Sequence, residues 1–493
     1  MLFIVIAAIL IAFSYEPAAG LERTTRPEFA CAGVILAVAS NWLLAELFAW
    51  FAVRRLSRDF FNRGLIMRSY QRLRWMHTAV LLGSYAGVVH GLDWPAVVRL
   101  NWGLERWVLV DDLLVLAPFA ASVLLAWLAH FRVEEMQRRG LETQLIHPPR
   151  WGSRLAHLDF HLRHHLGVVL VPLLLLITIQ DSVALAFEDS PNRSAVELTA
   201  GVAGLGAVLI FAPVFLRFLW RAKPLPAGPL RDRLELLSRR LRFRASDILI
   251  WNTHGAVINA AVAGILPRPR YVLLSDGLLN HLTPDEVEAV FGHEVGHIRH
   301  HHLWFFIAFL QGASVFLLLT MSATGQLLTS LVGQSAADYV FFVAQGLALP
   351  FASLVAYFGI FFGFLSRRFE RQADIFGCRA VSCGRPDCPD NHYPQLASGI
   401  SPALCPAGIQ VFVQALEKIA ILNGAMRDSR SWRHFSIAKR VEFLQQMAAR
   451  PEVERSFQRV VLLLKSLLIL ALLGGAWYVM RQSPDALREL VGW

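Results

Sequence analysis

Apolar residues gather into runs at about 1 to 15, 29 to 53, 75 to 92, 108 to 131, 166 to 187, 198 to 220, 303 to 330, 338 to 365 and 460 to 480. Most of these reach the roughly 17 to 25 residues that a helix needs to cross a bilayer, so the pattern predicts about nine transmembrane helices. The first run is short and lacks a positive leader, which makes it a poor signal peptide, although Ala18 and Gly20 leave cleavage open. Between the sixth and seventh runs the texture changes. Arg231 to Arg242 predicts a short amphipathic helix. Ile248 to Trp251, Val257 to Val262 and Tyr271 to Leu274 are β-prone runs separated by Asn252, Gly255, Gly264 and two prolines, which predicts a small antiparallel sheet. The expected fold is mainly α: a polytopic membrane helix bundle with a domain containing that sheet. Three regions follow: 1–225 with six spans, 226–459 including a two-span hairpin at 303–365, and 460–493 with a last span and a short tail.

The most informative polar positions follow the sheet. Thr283 suits a helix cap, Pro284 the first helical position, and Glu286 completes a capping box. Val287, Val290 and Phe291 recur at helical spacing, so His293 and His297, four apart, project from one face. His293-Glu294-Val295-Gly296-His297 is the H-E-x-x-H arrangement, in which two imidazoles bind zinc and the glutamate is free to take a proton from water. With no Gly or Pro after His297, the helix is expected to continue through His300, His301 and His302 into the seventh span, with those three histidines either adding metal affinity or, as is commoner, forming a solvated or interfacial collar.

Composition changes the picture in two ways. A hydrophobic share of 55% over 493 residues is too high for an ordinary soluble enzyme and requires contact with lipid. The net charge of +10 is mostly arginine, with lysine only at Lys223, Lys418, Lys439 and Lys465, and it clusters beside the apolar runs, which argues for membrane orientation and against nucleic acid as a partner. Arg54, Arg55, Arg58, Arg63, Arg68, Arg72 and Arg74 face one acid, Asp59, so the positive-inside rule makes that loop cytoplasmic. Counting spans from it puts 93 to 107 and 188 to 197 outside, and 132 to 164, 221 to 302 and 366 to 459 inside. The histidine motif then lies on the cytoplasmic side, and the excess of arginine over lysine points to a bacterial inner membrane.

After the eighth span comes Phe369-Glu370-Arg371-Gln372-Ala373-Asp374, whose two carboxylates are four apart. They form either a charged cap on a membrane helix or the carboxylate of an open, catalytic zinc site. The hairpin between the two motifs favours the second reading, because it returns the chain to the same membrane face.

At these residues the chain resembles the integral-membrane zinc metallopeptidases that include the CAAX prenyl proteases and the heat-shock protease HtpX. The resemblance is carried by LSDGLLNHLTPDEVEAVFGHEVGH, FERQAD, NAAVAG at Asn259 to Gly264, and His434-Phe435-Ser436 through Arg440-Val441, and it covers about residues 230 to 450. It implies a gluzincin-type zinc endopeptidase, with one zinc on His293, His297 and Glu370, Glu294 as base, and Asp374 orienting a histidine. It implies Asn259 and Ala260 as contacts to the substrate backbone. His434 and Arg440 are candidates for stabilising the oxyanion or for bracing the helix end. Phe435 stands where the family has proline. The cysteine-bearing segment from 378 to 405 is not a family feature; Cys378, Cys383, Cys388 and Cys405 are expected as reduced thiols or as a second, structural zinc site.

The expected substrates are polypeptides, above all misfolded or surplus membrane proteins, met at the bilayer. Two other classes compete with this. Asp181 and Glu46 are the clues a transporter would give, and His77, His90, His161 and His165 those of a membrane haem protein.

Overall fold

The computed structural model describes residues 2–15, 26–59, 62–139, 153–255, 257–333, 348–383, 404–423 and 435–482. By internal contacts the chain divides into two compact units: residues 1–208 with 218–220, and residues 209–217 with 221–493. Among the described residues, six helices are long and apolar enough to cross a membrane: Pro27–Arg58, Val110–Gln137, Arg154–Ala186, Arg193–Leu219, His302–Leu331 and Glu452–Tyr478. They coincide with six of the nine apolar runs. Of the rest, the first is the short helix Leu2–Phe13, the third runs from the second half of Arg63–Ala86 through the helical turn Gly87–Gly91, and the eighth falls partly outside the described residues.

In the first unit, small residues set the packing. Ala45, Ala49 and Ala52 lie on one stripe of Pro27–Arg58 and are buried, as are Ala126, Ala129 and Val133 on Val110–Arg139. Small side chains let helices approach closely where lipid gives no hydrophobic drive between them. Buried polar groups are answered locally: Asn41 Nδ2 donates to Ser84 Oγ at 2.7 Å, and Arg99 reaches Asp111 and Asp112 at 2.8 and 2.9 Å. The two acids that would mark a transporter are also engaged. Asp181 accepts from the Leu109 amide at 2.9 Å, and Glu46 lies 3.9 Å from Arg132.

The second unit holds the sheet. Its strands are β1 (Lys223–Pro224), β2 (Asp247–Trp251), β3 (Ala260–Ala263) and β4 (Tyr271–Ser275), in the order β1-β2-β4-β3. The sheet is mixed rather than antiparallel, because β2 pairs with β4 in parallel, Leu249 opposite Leu273, while β3 pairs with β4 antiparallel, Val262 opposite Val272. The chain from Asn252 to Arg270 is long enough to form the crossover that a parallel pair requires. β3 is an edge strand. Ile248, Val272 and Leu274 pack with Leu234 and Leu237 of the helix Pro229–Arg240 and with Val287, Val290, Phe291 and Val295 of the helix Pro284–Arg299.

That last helix, the motif helix, begins as its sequence dictates. Thr283 Oγ1 accepts from the Glu286 amide at 3.4 Å, and Glu286 accepts from the Thr283 amide at 2.8 Å and from Lys418 at 2.6 Å. Arg233 ties its first turns to the helix Pro229–Arg240 through Glu288 at 2.7 Å and through Asp285. Its end differs from expectation: the helix stops at Arg299, His301 takes a left-handed conformation with φ 58°, and a new helix starts at His302. Histidine is among the residues that tolerate this conformation. The break needs neither Gly nor Pro.

Candidate active site

The motif helix and the helix Gly363–Ala380 pack closely because both present small residues at the crossing. A Cβ on Gly292 would stand 2.5 Å from the Ala380 Cβ, and one on Gly296 would stand 3.2 Å from the Ala373 Cα. A Cβ on Gly377 would stand 3.1 Å from the His293 Cβ. This approach carries Glu370, one turn before Ala373, to the histidine face.

There the donors converge. His293 Nε2 and His297 Nε2 are 3.2 Å apart, and the Glu370 carboxylate oxygens lie 3.7 Å from the first and 3.8 Å from the second. A tetrahedral ion with bonds of about 2.0 to 2.1 Å holds its ligands roughly 3.3 Å apart, so these three residues fit zinc. Their electrostatics agree. Burial, then the neighbouring His293, holds the His297 imidazole down to about 4, which keeps it neutral as a ligand must be. Burial opposes a charge on His293, yet Asp374, Glu370 and Glu294 together raise its pKa, which means that a positive charge is favoured at this point. Glu294, beside the cluster, is raised to about 7, chiefly by burial, and accepts a hydrogen bond from the Val262 backbone.

Behind the ligands stand two sets of partners. Asp374 Oδ1 lies 3.0 Å from His293 Nδ1, off the line of an ideal hydrogen bond. Arg440 holds the same carboxylate with one edge of its guanidinium, Nε to Oδ2 at 2.8 Å and Nη2 to Oδ1, and its Nη2 is 3.9 Å from Glu370. Burial alone would raise the Asp374 carboxyl, but Arg440 and then His293 hold it below the ordinary range. On the other side, His297 Nδ1 is 2.9 Å from His302 Nδ1, and His302 Nε2 is 2.9 Å from Gln372 Oε1. Gln372 in turn donates to Gln458 and lies 3.4 Å from Lys465 Nζ.

His302 corrects an expectation. It is fully buried and stacked on Phe369 with ring centroids 4.2 Å apart, so it is no interfacial collar. The turn at His301 directs its ring back onto His297. No spacing rule signals this, because in an unbroken helix residues five apart do not share a face.

The remaining predicted residues are distributed as follows. Asn259 is exposed, with its backbone N–H and C=O both bonded to Ser275, and Ala260 is buried at the start of β3. The Val262 amide donates to Glu294, so the outer side of β3 faces the motif helix. His434 and Cys388 lie outside the described residues. Phe435, in the place of proline, is covered by the Arg371 guanidinium at 3.9 Å, and Ser436 caps the helix that carries Arg440. The three described late cysteines form no ligand group: Cys378 and Cys405 are buried, and Cys405 Sγ accepts from the Gly408 amide as a helix cap. The predicted structural zinc on these cysteines gains no support. Beside the motif helix lies a cavity of about 290 Å³, lined by His297, Phe243, Ile265, Trp304, Arg270 and Arg299 among others.

The description of peptidase family M48 matches residues 224–389. A CAAX prenyl protease 1 homolog of Arabidopsis thaliana is 29% identical over 179 residues, covering 35% of this chain and 40% of that protein. Protease HtpX of Pseudomonas syringae pv. syringae is 29% identical over 163 residues, 31% of this chain and 52% of that one. Protease HtpX of Xanthomonas oryzae pv. oryzae is 32% identical over 133 residues, 25% and 43%. The chain thus spans about half or less of the length of these relatives. The crystal structure of S. mikatae Ste24p aligns with a TM-score of 0.48 at 16% identity, over 86% of this chain and 100% of that one. The segment that matches peptidase family M48 runs from β1 through both helices of the histidine and carboxylate cluster, so the part of this chain that is similar to the CAAX prenyl protease 1 homologs and to HtpX is the part that holds the candidate site.

Proposed function

We propose that this chain is a gluzincin-type zinc endopeptidase that hydrolyses peptide bonds in membrane-associated or misfolded polypeptides, with its active site at the cytoplasmic face of a bacterial inner membrane. The observation that carries the reading is the convergence of His293, His297 and Glu370 beside Glu294 and the outer edge of β3. Bound there, zinc would polarise the scissile carbonyl and acidify the attacking water.

The chain's own residues do the rest. Glu294, with its carboxyl near 7, takes a proton from water and hands one to the leaving amine. Asp374, kept ionised by Arg440, holds the His293 Nδ1 proton and leaves Nε2 free as a ligand. His302 does the same for His297. With Nδ1–H of His297 donating to His302 Nδ1, the His302 proton sits on Nε2 and donates to Gln372 Oε1, so every contact in the series runs in one direction. Nε and Nη2 of Arg440 both donate to Asp374, which makes Arg440 first of all a positioning residue.

Substrate is taken as an extended strand. The outer edge of β3 leads past Glu294, and backbone pairing there, flanked by Asn259 and Ala260, gives affinity with little side-chain selectivity. Unfolded segments are then cleaved and folded soluble proteins are not. The test is purified Glu294→Gln, assayed for zinc and for cleavage of an unfolded peptide. Zinc content at the wild-type level with hydrolysis reduced roughly 10² to 10⁴-fold is expected. Cleavage at the wild-type rate would sink the mechanism.

A further inference from the structure

We infer that the chain carries a second divalent-metal site, within its first unit, formed by Glu134, His157 and His161 and suited to zinc. His157 and His161 are four apart on the helix Arg154–His161, so their rings share a face, and Glu134 comes from the helix Val110–Arg139. The two Nε2 atoms are 2.9 Å apart. Glu134 Oε2 lies 2.9 Å from His157 Nε2 and 3.5 Å from His161 Nε2.

These separations, two of hydrogen-bond length at 2.9 Å and one at 3.5 Å, bracket the roughly 3.3 Å between the ligands of a tetrahedral ion, so a small opening of the two short contacts would admit one. The plan is that of the cluster around His293: an i, i+4 histidine pair on one helix and a carboxylate from another. Protons serve such a triangle poorly. A neutral imidazole has one N–H to share between its two nitrogens and an ionised carboxylate has none, whereas a dication at the centre satisfies all three lone pairs at once.

The surroundings fix the donors in place. His157 is fully buried and His161 is 9% exposed. His161 stacks on Trp127 with ring centroids 5.3 Å apart, and His157 meets the Phe131 ring edge-on at 5.4 Å. The other Glu134 oxygen faces Arg74 at 3.6 Å, which leaves Oε2 as the single oxygen turned to the histidines. Two imidazoles and one carboxylate in a buried place suit zinc better than calcium or magnesium, which take mostly oxygen. Bound there, the ion clasps Val110–Arg139 to Arg154–His161 near the ends of two candidate spans.

The test is the metal content of the purified full-length chain, reconstituted with zinc and dialysed against a weak chelator. Two ions per chain are expected in the wild type, one in His157→Ala/His161→Ala, one in His293→Ala/His297→Ala, and none in the fourfold variant. Where the paired change at 157 and 161 does not fold, Glu134→Gln takes its place and is expected to lose the same ion. A wild type with a single ion that disappears with His293 and His297, a wild type that retains none, or a second ion indifferent to Glu134, His157 and His161 overturns the inference. A single ion lost only with His157 and His161 supports this site and removes the reading of the other cluster.

Discussion

At the scale of single residues, the candidate site separates ligands from the groups that orient them, and substitution should separate them too. Glu370→Ala leaves two protein ligands, so zinc occupancy and hydrolysis should fall together; full occupancy after dialysis against a mild chelator would mean that a different residue is the third ligand. His302→Ala touches no ligand atom of the proposed ion, yet it removes the acceptor for the His297 ring, and a 10- to 100-fold loss in zinc affinity or activity is expected. Unchanged affinity would reduce His302 to packing. Arg440→Met should destabilise the chain by about 3 to 5 kcal/mol near neutral pH, because it strands the buried Asp374 charge. The sign with pH follows from that carboxyl. Its depressed pKa gives stability that is complete above the ordinary carboxyl value and lost as pH falls through the depressed one. In Arg440→Met the carboxyl is neutralised more readily, so the deficit relative to wild type should shrink on acidification, measurable by thermal unfolding at two pH values. That His293 and His297 share one face, and Glu370 and Asp374 another, was legible in the sequence because helical spacing alone fixes it, whereas the role of Glu294 came with the motif and those of Glu370 and Asp374 were implied only by the family resemblance. The place of His302 was not legible, because it depends on one left-handed residue, His301, with no Gly or Pro to announce it.

At the scale of elements, the contact between the motif helix and Gly363–Ala380 determines whether the two motifs meet. Gly292 sits where a Cβ would stand 2.5 Å from another Cβ, an atom that has no rotamer to escape into. Gly292→Ala gains about 1 kcal/mol of helix propensity. Separating the helices costs about 1 to 3 kcal/mol, so the net change should be destabilising, with Glu370 withdrawn from the histidines. Chemical denaturation and zinc titration of the variant check both effects; a stabilised chain with wild-type affinity would show that the crossing is looser than its geometry. The motif helix could be read from its cap and periodicity, since those signals are local, whereas Gly363–Ala380 has no side-chain cap to announce it. The direction of β2 could not be read, because β-prone runs look the same in parallel and antiparallel pairs, and the choice was made by the crossover from Asn252 to Arg270. The edge position of β3 follows from the same crossover. It leads to a test of strand addition: Val262→Pro removes the amide that now donates to Glu294 and should raise KM for an unfolded peptide more than Asn259→Ala does, with zinc content unchanged in both.

At the scale of the whole molecule, the distribution of arginine carries the argument that no single contact can. Seven arginines against Asp59 between 54 and 74, where the helices Pro27–Arg58 and Arg63–Ala86 meet, lead the positive-inside rule to predict a cytoplasmic place for this segment. The apolar runs then alternate faces along the chain. His297 precedes the helix His302–Val332 directly, and Glu370 follows the next apolar run, so both halves of the cluster belong at one end of that hairpin. The six long helices were legible from apolar length alone, whereas the runs at 1 to 15 and 75 to 92 show that hydropathy alone does not give length: the first makes only the helix Leu2–Phe13, and the third shares Arg63–Ala86 with a polar first half. The count therefore rests on the arginine pattern as much as on the helices, and it can be tested without reference to either. A reporter active only in the cytoplasm, fused after Arg450, should be active, and the same reporter inserted at Pro191 should be silent. The reverse result at Arg450 would put the cluster of His293, His297 and Glu370 on the outer face. There the candidate substrates would be secreted or periplasmic polypeptides, and the late cysteines would meet an oxidising compartment instead of a reducing one.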